Sequence, residues 1–349
     1  MIKLPPGSAT FPSEPVTVPS EGRFFWPFNF DLGHGLRLLW ATAQPVCAAD
    51  DGRTRTVFFA ETPGISAEFA FSNDARVKVS SGKLIQREGH TLVVGVKPSR
   101  TGAMRISGSD GGMLQVVLLS DSDSLALWQG VFADRERLSL TRAGLVLDGQ
   151  QLRLTSTNLD ALTVGIYPAP TRVASNGKAL GDKTDGVFHR FTPRAPGAVA
   201  LKASFEQIQP AGPARDIPLG KIKQPVAAAP EDADFEKAAV WRIKLPADLD
   251  LTGDPLLRLD YIGDVARVML NGKLVTDDFY NGRPFEIGLR RHAPEILNGD
   301  LQVAILPLRK DAPIYLAKEA RPPSGNQPTV AALRGVALVP RYRVELIAR

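Results

Sequence analysis

The sequence predicts an all-β chain of two or three sandwich domains, the last a jelly roll, and three observations carry that expectation. Short segments of alternating polarity recur from end to end, turn-forming pairs separate them, and sustained 3.6-residue periodicity is scarce. Val16-Thr17-Val18, Val77-Lys78-Val79, Leu138-Ser139-Leu140 and Leu152-Arg153-Leu154 each put apolar side chains on one face. Tyr342, Val344 and Leu346 do the same near the C-terminus, with Arg343 and Glu345 on the other face. Successive Cβ atoms alternate across a strand, so such segments have one buried and one wet side.

Asn176, Asn271, Asn281 and Asn298 are each followed by glycine. Both residues tolerate the positive φ of a type I′ turn, so each pair is a candidate hairpin. The clearest is Arg267–Val275, which folds back at Asn271-Gly272. One short helix is expected where Asp121-Ser122-Asp123-Ser124 precedes Leu125-Ala126-Leu127-Trp128.

From Gln209 to Asp234 the chain carries Pro210, Pro213, Pro218, Pro225 and Pro230. Proline lacks a ladder donor, so this stretch reads as a linker between domains. A weaker boundary lies at Ala133–Arg137. The expected organisation is a sandwich over 1–134, a small β-domain over 135–209, a linker over 210–230 and a jelly roll over 231–349. A chain of 349 residues suits that number of domains.

The formal net charge is +5, but Lys and Arg are interspersed with Asp and Glu and no basic block occurs. That argues against a nucleic-acid partner. No apolar run is long enough to span a bilayer, so no membrane partner is expected. Cys47 is the single cysteine, which leaves no intrachain disulfide. His34, His90, His189 and His292 are scattered, with no metal-ligand spacing, and no phosphate-cradling glycine loop or G-x-S-x-G elbow is present. No cofactor and no metal is expected.

Two segments have the composition of a sugar site, in which aromatic faces stack on C–H surfaces and planar polar groups meet hydroxyls. The first runs from Phe24 to Asp31 and includes Trp26 and Asn29. Its aromatics read foremost as core. The second is Asp277–Glu286, with Asp277, Asp278, Tyr280, Asn281 and Arg283; a polar loop packed on a neighbouring domain is its competing reading.

At these residues the chain resembles bacterial β-galactosidases of glycoside hydrolase family 35. Phe25–Leu32, Ala41–Pro45 and Phe58–Phe69 look like the region that follows the catalytic barrel. Tyr261–Ala266, Leu270–Lys273, Asp277–Gly282 and Glu286–Leu289 are similar to that family's C-terminal galactose-binding-like jelly roll. The resemblance is weakest over 135–209. It implies non-catalytic β-domains that pack on a barrel domain or subunit and contribute to galactoside binding. Family glutamates act from the barrel, the acid/base one after an asparagine, and none of the eight asparagines here precedes a glutamate. No catalytic residue is therefore carried over.

The leading expectation is an accessory region of a β-galactosidase-like hydrolase. A free-standing carbohydrate-binding module and an active β-galactosidase are the alternatives. The compartment stays open: the family points to the periplasm or outside, whereas Met1–Gly7 lacks the apolar stretch of a signal peptide.

Overall fold

A computed structural model describes residues 2–3, 8–9, 11–72, 76–88, 91–194, 196–197, 201–221, 223, 225–321 and 328–348. The fold is all-β, and its described helices are short, the longest being the six-residue 3₁₀ run Asp232–Lys237. Two compact units divide the chain: Met1–Pro196 with Arg343–Arg349, and Gly197–Tyr342.

The first unit holds two sandwiches. In the first, one sheet is ordered Phe28–Gly33, Leu36–Ala41, Ala67–Ser72, Thr91–Val96, Gly82–Glu88. The other is ordered Ala43–Asp51, Thr54–Glu61, Met113–Leu119, Met104–Ser107, Val77–Val79. Thr54–Glu61 and Met113–Leu119 run parallel, with Val57 opposite Val116. Each carries an unbroken apolar stretch, 57–60 and 116–119, the mark of strands buried on two faces. Val57, Phe59, Val116 and Leu118 fill the core of the first sandwich. The alternate residues Phe58, Val117 and Leu119 face the other way, against Leu138, Leu140, Tyr167 and Phe188 of the second sandwich. The two sandwiches thus share a core.

The second sandwich pairs Leu127–Phe132, Arg135–Leu140, Val164–Tyr167, Phe188–Phe191 and Asp182–Asp185 in one sheet. Its other sheet contains Gly144–Asp148, Gln151–Ser156, the C-terminal strand Tyr342–Ala348, Val173–Ser175 and Lys178–Leu180. The C-terminal strand buries alternate residues, including Val344, Leu346 and Ala348, as its polarity predicts. Alternation fixes which face is buried, but not which sheet a strand joins. Here the last strand completes the second sandwich, so that domain is discontinuous rather than 135–209.

The second unit is an antiparallel jelly roll. A five-stranded sheet, Ser204–Gln209, Ala239–Lys244, Leu301–Ile305, Val265–Leu270, Lys273–Phe279, faces a three-stranded one, Phe285–Gly288, Leu256–Ile262, Ala332–Val339. Trp241, Ile243, Leu257, Leu259, Tyr261, Val268 and Val303 lie in its core. Ser204–Gln209 belongs to this unit, because Phe205 pairs with Ile243.

The proline-rich 210–230 stretch is strapped onto the same unit. Gly212 donates to the Lys237 carbonyl at 2.9 Å, Ala228 to that of Pro218 at 2.9 Å, and Gly220 to that of Val226 at 3.0 Å. Arg215 enters the interior to meet Asp264. Proline content excluded a regular ladder, but not packing.

Two Asn-Gly pairs close hairpins: Asn271-Gly272 (φ 51° and 76°) and Asn176-Gly177 (φ 49° and 75°). Asn298 instead ends the helical turn Glu295–Asn298, and Asn281-Gly282 sits in the loop after Phe279. The expected short helix is a single turn over Asp121–Ser124, the residues expected to cap it, while Leu127 and Trp128 begin a strand. Its cap is Ser120, whose hydroxyl accepts from the Asp123 amide at 3.2 Å. No helix among the described residues is long and apolar enough to cross a membrane.

Candidate functional site

Strand alternation sorts the Asp277–Arg283 segment into two faces. Asp277 and Phe279 stand opposite Arg267 and Val265 on the outer side of the five-stranded sheet. Asp278 and Tyr280 turn inward. The Tyr261 hydroxyl donates to the carbonyl and carboxylate of Asp278, each at 2.9 Å. Burial pushes the Asp278 carboxyl above its ordinary value, only partly opposed by the Tyr261 bond. The Tyr280 ring meets that of Tyr261 edge-on at 5.5 Å, and its amide donates to the Asp264 carbonyl at 3.0 Å. Burial also drives both phenols up, so they stay neutral at ordinary pH.

The loop beyond is held as firmly. Gly282 has φ +84°, and a Cβ there would lie 2.6 Å from the Ala320 Cβ, so only glycine fits. Asn281 Oδ1 accepts from the Arg283 amide at 3.0 Å, an Asx turn. On this base Asp277, Phe279, Asn281 and Arg283 are exposed. Phe279 is 55% exposed, whereas Tyr280 is 8% exposed. Composition alone singled out Tyr280 and passed over Phe279. The signal was available in the alternation, since Phe279 shares the parity of the polar Asp277.

Tyr261-Ile262-Gly263-Asp264 supports this loop from beneath. A Cβ on Gly263 would approach Ile305 Cγ2 to 2.3 Å, so the strand passes there only as glycine. Asp264 takes Arg215 on its carboxylate and Tyr280 on its carbonyl.

Trp26 and Asn29 lie in the other unit. The Trp26 ring stacks on Phe24 (4.5 Å) and meets Phe11 edge-on (5.4 Å), while its indole N–H donates to Thr62 Oγ1 at 2.9 Å. Phe11 also touches Phe28 and Trp40, so this segment is an aromatic cluster lying on the sheet. Asn29, exposed with φ 50°, accepts from Arg37 Nη1 on its carbonyl (3.0 Å) and on its side-chain oxygen (3.2 Å). Only Phe25 of the aromatic run is strongly exposed.

A cleft in the first unit gathers Asp123, Asp160 and Asp185 with Arg100, Arg142 and Arg190. A glycosidase acid must be kept protonated. The reverse holds here. Arg100 Nε donates to Asp123 at 2.8 Å and Arg100 Nη1 to Asp185 at 2.5 Å, while Arg142 reaches Asp123 at 3.0 Å. The Arg100 bond holds the Asp123 carboxyl below its ordinary value. This is an arginine clamp with the electrostatics of a structural joint. Among the described residues no group of three or more His, Cys, Asp or Glu is placed to hold a metal ion.

No protein-family model matches the chain. No curated protein matches it either.

Proposed function

We propose that this chain is a non-catalytic, accessory β-sandwich region of a β-galactosidase-type glycoside hydrolase, packing on a catalytic barrel and offering contacts to galactosides. The observation that carries the reading is the preorganised loop of the jelly roll. Phe279 stands exposed among Asp277, Asn281 and Arg283, on a base fixed by Tyr261, Tyr280 and Gly282. An exposed aromatic with exposed planar polar groups close by in the chain suits the C–H face and hydroxyls of a pyranose. A loop fixed beforehand loses little entropy on contact. The resemblance of Tyr261–Ala266 and Asp277–Gly282 to the jelly roll of family 35 supports the same assignment.

Galactose and lactose titrations, followed by amide chemical shifts on the full chain, test it. Saturable shifts centred on 277–283 are expected, and Phe279→Ala and Arg283→Ala should each abolish them. Absence of saturation with both sugars would sink the galactoside contact. A chromogenic β-galactoside assay tests the non-catalytic part, and turnover above a heat-killed control would overturn it. A free-standing carbohydrate-binding module rests on the same loop. It differs in forming no complex with a family 35-type barrel in size-exclusion runs.

A further inference from the structure

A groove of about 610 Å³ lies on the jelly roll, between the end of Phe285–Gly288 and the turn Arg290–His292. Leu256 and Gly288 line it along with Asp254, Glu286, Arg290, Arg291 and Arg341. Its two carboxylates already have cations. Asp254 meets Arg341 Nη1 at 2.7 Å, and Glu286 meets Arg258 Nη2 at 2.6 Å. Arg290 and Arg291 have no carboxylate partner among the described residues. Two positive charges therefore stand uncompensated on one wall.

The wall is also built. Asp254 Oδ1 accepts from the Arg290 amide at 3.2 Å, which fixes the turn against the groove. Arg291 Nε donates to His292 Nε2 at 3.0 Å, so that ring nitrogen is unprotonated. Burial first, and then the adjacent Arg291, lower the His292 pKa and keep the imidazole neutral. The bond spends only Nε, leaving both terminal nitrogens of Arg291 for an acceptor. Gly288 carries no side chain to fill the floor, and a Cβ there would lie 3.2 Å from Asp254 Oδ1.

We infer that this groove binds an anionic saccharide, with its oxyanion on the guanidinium groups of Arg290 and Arg291 and its hydroxyls donating to Asp254 and Glu286. Paired guanidinia match the two oxygens of a carboxylate or sulfate group. Fixed carboxylates beside them accept from vicinal hydroxyls and repel a ligand that is anionic throughout. The inference is independent of the galactoside loop, since it uses none of residues 277–283.

The test is calorimetric titration of the full chain with galacturonate, galactose, acetate and inorganic sulfate. Galacturonate should bind at least tenfold more tightly than galactose or acetate, and sulfate should compete with it. Arg290→Gln/Arg291→Gln should weaken galacturonate at least tenfold, and Arg242→Gln, an exposed arginine elsewhere in the unit, should not. Thermal unfolding checks that each variant remains folded. Equal affinity for galacturonate and galactose overturns the inference, and so does unchanged binding by the double variant. If acetate or sulfate binds as tightly as galacturonate, the groove is an anion hole without saccharide selectivity, and the inference again fails.

Discussion

Arg215 Nε meets Asp264 Oδ2 at 2.9 Å with only 5% and 4% of the two side chains exposed. Arg215 also donates to the Ala228 carbonyl at 3.1 Å, so one residue fastens two points of the proline-rich strap to the jelly roll. Removing one partner of a buried pair strands the other charge in the interior, typically at about 3–5 kcal/mol. Asp264→Ala and Arg215→Ala should each lower the stability of the second unit by that order in urea unfolding. Replacing both residues with Leu and Met should cost less than the sum. Single variants within 1 kcal/mol of the parent would show that the strap does not need the pair.

The clamp at Arg100 makes a pH-dependent joint within the first unit. Asp123 is depressed in the folded state, chiefly by the Arg100 bond, so its contribution is complete above the ordinary carboxylate value. It is lost as pH falls through the lowered value, below about pH 4. Arg100→Gln should cost about 1–3 kcal/mol at neutral pH, discounted from charged hydrogen bonds because the pair is partly exposed. It should also flatten the acid limb of the unfolding curve. An acid limb identical to the parent's would remove the clamp from the account.

The architecture was legible in the sequence where local chemistry decides it. Asn271-Gly272 fixes its hairpin because both residues take positive φ, and the apolar stretches 57–60 and 116–119 lie in strands buried on both faces. Long-range partnership was not legible. Nothing local to Tyr342–Ala348 says that it pairs with Val173–Ser175, or that Arg215 is bound for Asp264. Asn281-Gly282 shows the same limit from the other side. Its glycine is required by Ala320, 38 residues on, and not by a hairpin. The candidate site was visible as a composition at 277–286, yet which aromatic stands exposed depended on parity, which brings Phe279 out and turns Tyr280 in.

Asp278 titrates with the opposite sign to Asp123. Burial raises its folded-state value, so the native state holds more protons than the unfolded one between the ordinary carboxylate value and the raised one. Its ionisation then costs stability as pH rises through that window. Asp278→Asn keeps an acceptor for Tyr261 without the charge. The variant's second unit should be at least as stable as the parent's at pH 7. Its advantage should shrink as pH falls through the raised value and be gone below the ordinary carboxylate value, about pH 4. A variant less stable at pH 7 would mean that the ionised carboxylate is needed for the loop.

Cys47 should be a slow thiol. Burial, and then Glu136, push its pKa from 9.0 up to about 11. The thiolate is the reactive form, so at pH 8 alkylation should run roughly a hundredfold slower than in an ordinary thiol of the same access. Denaturant should restore the rate. A folded-state rate equal to that of a free thiol at pH 8 would contradict the burial.

Phe279 and Tyr280 separate contact from support. Phe279→Ala removes an exposed ring, so stability should stay within about 0.5 kcal/mol while galactoside shifts at 277–283 vanish. Tyr280→Ala empties a site packed against Tyr261 and should cost about 3–5 kcal/mol, as large-to-small core changes do. Any binding loss in that variant follows from the loop losing its base, so Tyr280→Phe, which keeps the ring, should bind as the parent does. The order is diagnostic. If Tyr280→Phe loses the sugar and Phe279→Ala keeps it, the inner face carries the contact and the outer one is bystander surface.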